Sequence, residues 1–315
     1  MGKPIDALIL SHGHKDHVGG LSLRARLGDP PIYATEIVGR GLGPGVAVRP
    51  LPIGGKAEVL GIEVETGRNG HAPGGVWLRF PIGEGFLYTG DYSTGSILYA
   101  YDAPATAAAT ALIDCSYGSY EKPLAACWDE LAPLVERGPL LLPVPANGRG
   151  PEIALALLRY GRTDIFVDDA MQAALRRLCE RDGAALRDGV AGELNRLADR
   201  VKPITAVRGI MLAASADGTS GATARLFREW EQASEPAIVF TGHVPLGTPA
   251  AALIARGRAQ FIRWNVHPLR SDTLALVRSV RATTVIPAFC DRAQLPGLAE
   301  ALAPARVTMD GPVAI

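Results

Sequence analysis

The strongest structural signal in this chain is the run Ser11-His12-Gly13-His14-Lys15-Asp16-His17. It places three imidazoles and one carboxylate within six residues, directly after an apolar, strand-like stretch. Alternate side chains of an extended segment share a face, so His12 and His14 are expected to point to one side. Asp16 and His17 open the next segment and point to a second position. One peptide segment can therefore supply ligands to two adjacent metal ions.

The chain has only six histidines in 315 residues, and three of them lie in this run. A lone histidine is more often structural than a ligand, but chance rarely produces such a cluster. Neutral imidazoles combined with a carboxylate suit zinc, at roughly 2.0 to 2.2 Å per ligand bond. Manganese and iron remain open because ligand type alone does not decide the metal.

The His-x-His-x-Asp-His pattern resembles the signature of the metallo-β-lactamase superfamily, and later segments match further motifs in the same order. Gly70-His71-Ala72-Pro73-Gly74 is similar to the later histidine motif of that superfamily. Tyr88-Thr89-Gly90-Asp91 is similar to the strand end that carries its bridging aspartate. The resemblance implies two zinc ions, with manganese as an alternative. Its implied metal ligands are His12, His14 and His71 for one ion, Asp16 and His17 for the second, and Asp91 as the bridge.

The second half of the chain resembles the β-CASP nucleases, a branch of that superfamily. Successive motifs of this branch are matched by residues 111–118, 141–149, 209–221 and 238–248. His267 falls where the family carries a histidine that assists proton transfer, and Asp114 is placed to orient it. The expected catalytic residues are thus Asp16, His267 and Asp114. Arg149 precedes a helix start, where backbone donors favour anions, and is expected to hold substrate phosphate together with Ser220.

The last metal motif departs from the family pattern. Val285-Ile286-Pro287-Ala288-Phe289-Cys290-Asp291 aligns with a strand whose end normally supplies a histidine to the second metal. Phe289 occupies that place and cannot bind a metal. Cys290 or Asp291 could substitute if the strand end shifted by one or two residues. Otherwise the second site has one fewer protein ligand and binds its ion more weakly.

The amino terminus is the second departure, because eleven residues precede His12 whereas family members have several tens. Either the true start lies upstream, or another chain covers the exposed edge of the first sheet, or the protein tolerates a smaller sheet. An uncovered edge invites pairing with another chain, which modestly favours a homodimer. The start Met1-Gly2-Lys3-Pro4 shows no secretory signal, and no apolar run approaches the ~20 residues of a membrane helix. The sequence therefore predicts a cytoplasmic protein that does not bind membranes.

Charge and cysteine usage exclude some classes of protein. The 32 acidic and 32 basic residues cancel, so no global charge attracts nucleic acid. The four cysteines are scattered without a Cys-x-x-Cys pair, which indicates neither a zinc ribbon nor a disulfide framework.

The pattern of strands and helices predicts an α/β fold with two kinds of sheet. Strands over Val59 to Thr66, Val76 to Pro81 and Gly85 to Thr89 lack long helices between them, which suits an antiparallel sheet. From Pro139 onward, strand-like runs alternate with helical patterns, which predicts parallel strands covered by helices. The predicted helices are Pro151 to Tyr160, Ala170 to Arg181, Ala222 to Gln232 and Thr273 to Val280.

The resemblance implies a metallo-β-lactamase αβ/βα sandwich with an inserted parallel-sheet β-CASP domain. Residues 1–118 would form the first part of the core, residues 119–264 the inserted domain, and residues 265–315 the return to the core.

The function expected from these motifs is metal-dependent hydrolysis of phosphodiester bonds in RNA or single-stranded DNA, as in RNA processing. A metal-activated water would attack phosphorus, and His267 would act as the general acid. One alternative is a catalytically weakened binding or assembly protein, because of Phe289 and the zero net charge. Another is a hydrolase of small esters or lactones, since one fold serves many substrates.

Overall fold

The structure is a computed structural model, and it describes residues 5–230 and 233–309 of the chain. The Met1 to Pro4 start, and Gln232 at the end of a predicted helix, lie outside the described residues. Contacts within the chain divide it into two compact units. The first unit contains the described residues up to Glu121 and those from Val266 onward, and the second is Lys122–Asn265.

The strands, in chain order, are β1 Leu8–Ile9, β2 Ile32–Thr35, β3 Val48–Leu51, β4 Gly55–Val59, β5 Ile62–Arg68, β6 Val76–Phe80, β7 Phe86–Tyr88, β8 Thr110–Asp114, β9 Leu140–Pro143, β10 Ile165–Val167, β11 Lys202–Pro203, β12 Ile210–Ala213, β13 Ala237–Phe240, β14 Ala259–Phe261, β15 Thr284–Ala288 and β16 Arg306–Val307. The helices are α1 Lys15–Val18, α2 Glu36–Gly41, α3 Leu124–Arg137, α4 Arg149–Arg159, α5 Asp169–Glu180, α6 Ala191–Arg200, α7 Gly221–Trp230, α8 Pro249–Ala255, α9 Arg270–Ser279 and α10 Leu295–Leu302. Short 3-10 helices span Gly19–Leu27, Gly183–Ala185 and Arg292–Gln294.

The first unit is built on two sheets within the described residues. The smaller sheet has the order β1-β2-β3 and is parallel. The larger has the order β16-β15-β8-β7-β6-β5-β4, in which β4 to β7 pair antiparallel and the remaining neighbours pair parallel. The carboxyl ends of β7, β8 and β15 therefore meet at one edge of the larger sheet.

Side chains alternate between the two faces of each strand, so each sheet packs on both faces and the first unit has four layers. Trp77 of β6 belongs to a buried cluster with residues of α9 and α10 on one face of the larger sheet. Leu78 of β6 belongs to a cluster with Tyr33 of β2, between the two sheets. Ile32 of β2 belongs to a third cluster with Val38 of α2. The order helix, sheet, sheet, helix is the predicted αβ/βα sandwich, and this prediction of the fold class is confirmed.

The single strand predicted over Val59 to Thr66 is wrong, because the chain reverses inside it. Leu60 and Gly61 have positive φ angles of 52° and 81° and form the two-residue turn between β4 and β5. Positive φ at both central residues is the geometry that suits a tight hairpin. The apolar character of Val59, Leu60 and Ile62 disguises the turn in the sequence.

The second unit contains a parallel sheet with the order β11-β10-β12-β9-β13-β14 in the described chain. Every residue of the central strand β9 is buried, as expected for a parallel strand covered on both faces. Leu141 of β9 packs in a cluster with Phe227 of α7 and Leu253 of α8 on one face. None of the helices in the described ranges has both the length and the apolar character of a membrane span.

We predict that Leu141→Ala destabilises the protein by about 2–5 kcal/mol, because it leaves a cavity in the centre of the second unit. Leu246→Ala removes the same atoms from a side chain that is 96% exposed and provides the matched control. Chemical denaturation, followed by circular dichroism, measures both changes. Equal stability of the two variants would contradict the placement of Leu141 in the core.

Candidate metal centre

The segment that carries His12 is fixed by its neighbours in the first unit. The carbonyl of Ser11 accepts a hydrogen bond of 2.8 Å from the backbone N–H of Val76, at the start of β6. Gly90 has a positive φ of 55°, and a Cβ at this position would lie 2.7 Å from the Ser11 side chain. Glycine at position 90 therefore lets two ligand-bearing loops approach each other closely.

The turn after β1 brings the next ligands back toward His12. The carbonyl of His14, the residue before α1, accepts hydrogen bonds from the backbone N–H groups of His17 and Val18. The ring centroids of His12 and His17 are 4.0 Å apart, and those of His12 and His14 are 4.7 Å apart. The Asp16 carboxylate is 76% exposed, whereas the His17 side chain is buried.

His71 lies in the loop between β5 and β6, and both of its ring nitrogens have defined surroundings. The Asn69 side-chain oxygen accepts a hydrogen bond from the His71 backbone N–H, which holds the loop. Nδ1 of the ring lies 2.6 Å from the Val266 carbonyl, which can only accept, so Nδ1 carries the proton. Nε2 therefore presents a lone pair toward His14, whose Nδ1 is 3.0 Å away.

Asp91 follows β7 and faces histidines with both of its oxygens. Oδ2 lies 3.6 Å from Nε2 of His12 and 3.5 Å from Nε2 of His71. Oδ1 lies 3.1 Å from Nε2 of His17, which is also 3.7 Å from the Asp16 carboxylate. A single carboxylate thus contacts both groups of potential ligands.

The donor atoms fit cations. His12, His14, His71 and Asp91 form one group whose ligand atoms lie within 4.8 Å of one another, and Asp16, His17 and Asp91 form another. Nε2 of His12 is buried without a hydrogen-bond partner, a state that costs about 1–3 kcal/mol unless something binds there. The 3.0 Å between His14 and His71 nitrogens is close to the about 3.3 Å that two nitrogen ligands adopt on tetrahedral zinc.

The pKa values of the buried histidines shift in opposite directions in the two groups of potential ligands. Burial, reinforced by the neighbouring His14, lowers the pKa of His12 well below its usual value of 6.5. Burial also lowers the pKa of His71 to about 3. Burial acts in the same direction on His17, but the hydrogen bond and charge of Asp91 outweigh it and raise the pKa of that residue. His12 and His71 are therefore neutral imidazoles that can bind a metal, whereas His17 holds a proton more readily.

A third group joins Asp91 to Asp114 and His267. Asp114, the last residue of β8, is fully buried, and its Oδ2 lies 2.7 Å from Nδ1 of His267. Its Oδ1 accepts hydrogen bonds from the backbone and hydroxyl of Ser116. Burial alone would raise the pKa of Asp114, but His267 and Ser116 hold it below its usual value. The anionic carboxylate therefore fixes the His267 ring, which is 21% exposed and 4.9 Å from the His71 ring.

Sequence reasoning missed several residues that support these ligands. The Val266 carbonyl, which orients His71, is itself held because the Val266 N–H donates to the Tyr117 hydroxyl over 3.1 Å. Ser116 and Tyr117 lie in the motif at 111–118, so the sequence showed these residues but not the groups to which they hydrogen-bond. Asn69 directly precedes the Gly-His motif, which was the available signal for its role. A backbone carbonyl such as that of Val266 leaves no signal in the sequence.

The two residues predicted to hold phosphate both lie in the second unit. Arg149 is the first residue of α4 and packs over Gly242, where a Cβ would lie 1.8 Å from its guanidinium. Ser220 directly precedes α7 and lines a cavity of about 510 Å³ together with Arg225. Arg149 does not line that cavity. A shared phosphate contact by Arg149 and Ser220 therefore remains a prediction.

The end of β15 offers no replacement for the missing histidine. The strand ends at Ala288, and Phe289 follows with a positive φ of 59°. Asp291 caps the next 3-10 helix by accepting from the Ala293 N–H, and the Cys290 thiol lies 3.4 Å from the Asp291 carbonyl. Neither Cys290 nor Asp291 belongs to a group of potential ligands in the described part of the chain. The second group therefore consists of Asp16, His17 and Asp91.

Comparison with known proteins agrees with this geometry. Residues 1–129 match the family model of the metallo-beta-lactamase superfamily. The cluster of potential metal ligands thus lies in a region that is similar to the metallo-β-lactamase superfamily. Among curated relatives, the transcription termination factor FttA of Cenarchaeum symbiosum is 29% identical over 50% of this chain and 30% of its own length. The ribonuclease TTHA0252 of Thermus thermophilus is 26% identical over 87% of this chain and 75% of its own.

A third relative, the human DNA cross-link repair 1A protein, is 36% identical over 27% of this chain and 9% of its own length. The chain thus spans less than a third of the length of two of these relatives and three quarters of the length of the ribonuclease. Together these matches confirm the predicted metallo-β-lactamase and β-CASP resemblance at moderate identity, and they support a metal-binding role for the His/Asp cluster.

We predict that His12→Ala removes metal from the centre formed by His12, His14, His71 and Asp91, because it deletes a buried ligand atom. Metal per chain, measured by mass spectrometry on protein purified without chelator, should fall by about one equivalent. His243→Ala, which alters a histidine outside the cluster, is the control and should retain the wild-type content. Unchanged metal content in His12→Ala would show that the cluster is not the binding site.

Proposed function

We propose that this protein is a metal-dependent hydrolase that cleaves phosphodiester bonds in RNA or DNA. The observation that carries the proposal is the position of Asp91, whose carboxylate joins two groups of potential metal ligands to the Asp114–His267 pair. The relatives named as a ribonuclease and as a DNA repair protein support nucleic acid as the substrate class.

The ligand set favours zinc, with manganese as the alternative, and we propose two ions. His12, His14, His71 and Asp91 would hold the first, and Asp16, His17 and Asp91 the second. When bound, such ions neutralise phosphate charge and activate a water as nucleophile. The second group has fewer protein ligands and an exposed Asp16 carboxylate, so we expect it to bind its ion more weakly.

The remaining steps belong to side chains of this chain. His267 would donate a proton to the leaving oxygen from Nε2, because Asp114 accepts from Nδ1 and fixes that tautomer. The buried Asp114 anion stabilises the protonated ring, and Ser116 keeps the carboxylate in place. In the second unit, Arg149 and Ser220 would contact the phosphate backbone of the substrate.

RNA and DNA are both included in the proposal. The zero net charge implies that attraction to phosphates depends on the site itself and not on the charge of the whole chain. A role in RNA processing is consistent with the relative named as a ribonuclease. The homodimer expected from the short first sheet stays a prediction.

We predict that His267→Ala lowers kcat for cleavage of a single-stranded oligonucleotide by about 10²–10⁴-fold, the usual contribution of a positioned proton donor. Its metal content should equal that of the wild type, because neither of the two groups proposed to hold an ion contains His267. Steady-state kinetics with metal analysis tests this, with His243→Ala as the matched control. Wild-type kcat in His267→Ala would exclude His267 as the acid.

Acid should release the two ions in a defined order. The pKa of His17 is raised, so protons compete for this ligand at a higher pH than for His12 and His71, whose pKa values are lowered. We therefore predict that the ion held by Asp16, His17 and Asp91 leaves first as the pH falls below neutrality. Metal per chain after dialysis at stepped pH values measures the order. Simultaneous loss of both ions would contradict it.

A further inference from the structure

Phe289 is an exposed aromatic side chain in an unfavourable backbone conformation. Its φ of 59° lies in the left-handed region, which costs a residue with a Cβ roughly 1–2 kcal/mol. The residue is nevertheless 54% exposed and belongs to none of the apolar clusters described for the first unit. Burial of the ring in a core therefore does not account for the conformation. Such conformations concentrate at sites that bind ligands.

The ring stands at the open side of the metal centre. Its centroid is 5.3 Å from that of His17, and the two planes meet at 62°, so the rings touch edge to face. In the same group of potential ligands, Asp16 is largely exposed, whereas the His17 and Asp91 side chains are buried. Phe289 and Asp16 thus lie where a substrate would reach this group from solvent.

A nucleic acid substrate offers a natural partner for such a ring. A phosphate held beside His17 and Asp91 brings the nucleobases of its own two nucleotides within reach of the neighbouring side chains. Bases stack on aromatic rings with little sequence preference, because every base has a π-face. The Phe289 side chain is 54% exposed, so ring surface beyond its contact with His17 is open to a base.

We propose that Phe289 is a substrate-positioning residue that stacks on a nucleobase next to the scissile phosphate. This inference rests on the proposed function and adds a binding subsite to it. In place of a metal ligand at the end of β15, the chain presents a stacking surface for single-stranded RNA or DNA. The contact with the nucleobase then helps to hold the substrate next to Asp16, His17 and Asp91, the group that has fewer protein ligands.

The test compares Phe289→Leu and Phe289→Trp with the wild type. Leucine keeps an apolar side chain with a Cβ at the strained position but has no π-face, whereas tryptophan keeps one. The probe is a single-stranded oligonucleotide with hydrolysis-resistant phosphorothioate linkages, in which a fluorescent 2-aminopurine or an abasic site is moved along the strand. Binding and fluorescence are measured on metal-loaded protein, so the readout does not depend on cleavage.

We expect Phe289→Leu to bind about tenfold more weakly and to lose the quenching of 2-aminopurine at one strand position. Phe289→Trp should keep both properties. An abasic site at that position should weaken binding by the wild type about tenfold and leave Phe289→Leu unaffected. Wild-type affinity and quenching in Phe289→Leu would overturn the stacking role while the hydrolase proposal stands. Failure of the wild type to bind either RNA or DNA would overturn both.

Discussion

The site depends on one carboxylate that has two sets of neighbours. Asp91 is buried, and its two oxygens face His12 and His71 on one side and His17 on the other. A buried carboxylate is costly unless its charge is compensated, and the neutral rings of His12 and His71 do not compensate it. Bound cations would supply that balance and would link the stability of the arrangement to its chemistry.

The layered fold explains why residues so distant in sequence meet at this point. β7, β8 and β15 run parallel, so Asp91, Asp114 and Phe289 follow or end neighbouring strands at the same edge of the larger sheet. The segment after β1 reaches the same place because the Ser11 carbonyl is bonded to the start of β6. Glycine at position 90 removes the side chain that would keep these loops apart. Position in the fold, more than local sequence, therefore assembles the centre.

The sequence predicted much of this arrangement, because motifs with fixed spacing encode local geometry. The run from His12 to His17 predicted a metal cluster, and the structure places its side chains together. Strand-like runs without helices between them predicted the antiparallel pairing, and runs that alternate with helical patterns predicted the parallel sheet. The β4–β5 turn was missed because Leu60 is apolar. Helices such as α3 and α6 were also missed, because no motif drew attention to them. The support of His71 by a backbone carbonyl has no signature in side-chain identity.

The central claim is that Asp91 lies between two bound metal ions. Anomalous diffraction from crystals of the protein purified without added metal or chelator, collected across the zinc absorption edge, tests it most directly. Two bound ions should give two anomalous peaks next to the Asp91 carboxylate, with the peak near Asp16 and His17 the weaker. Crystals without an anomalous peak next to Asp91 would exclude a metal centre at this position.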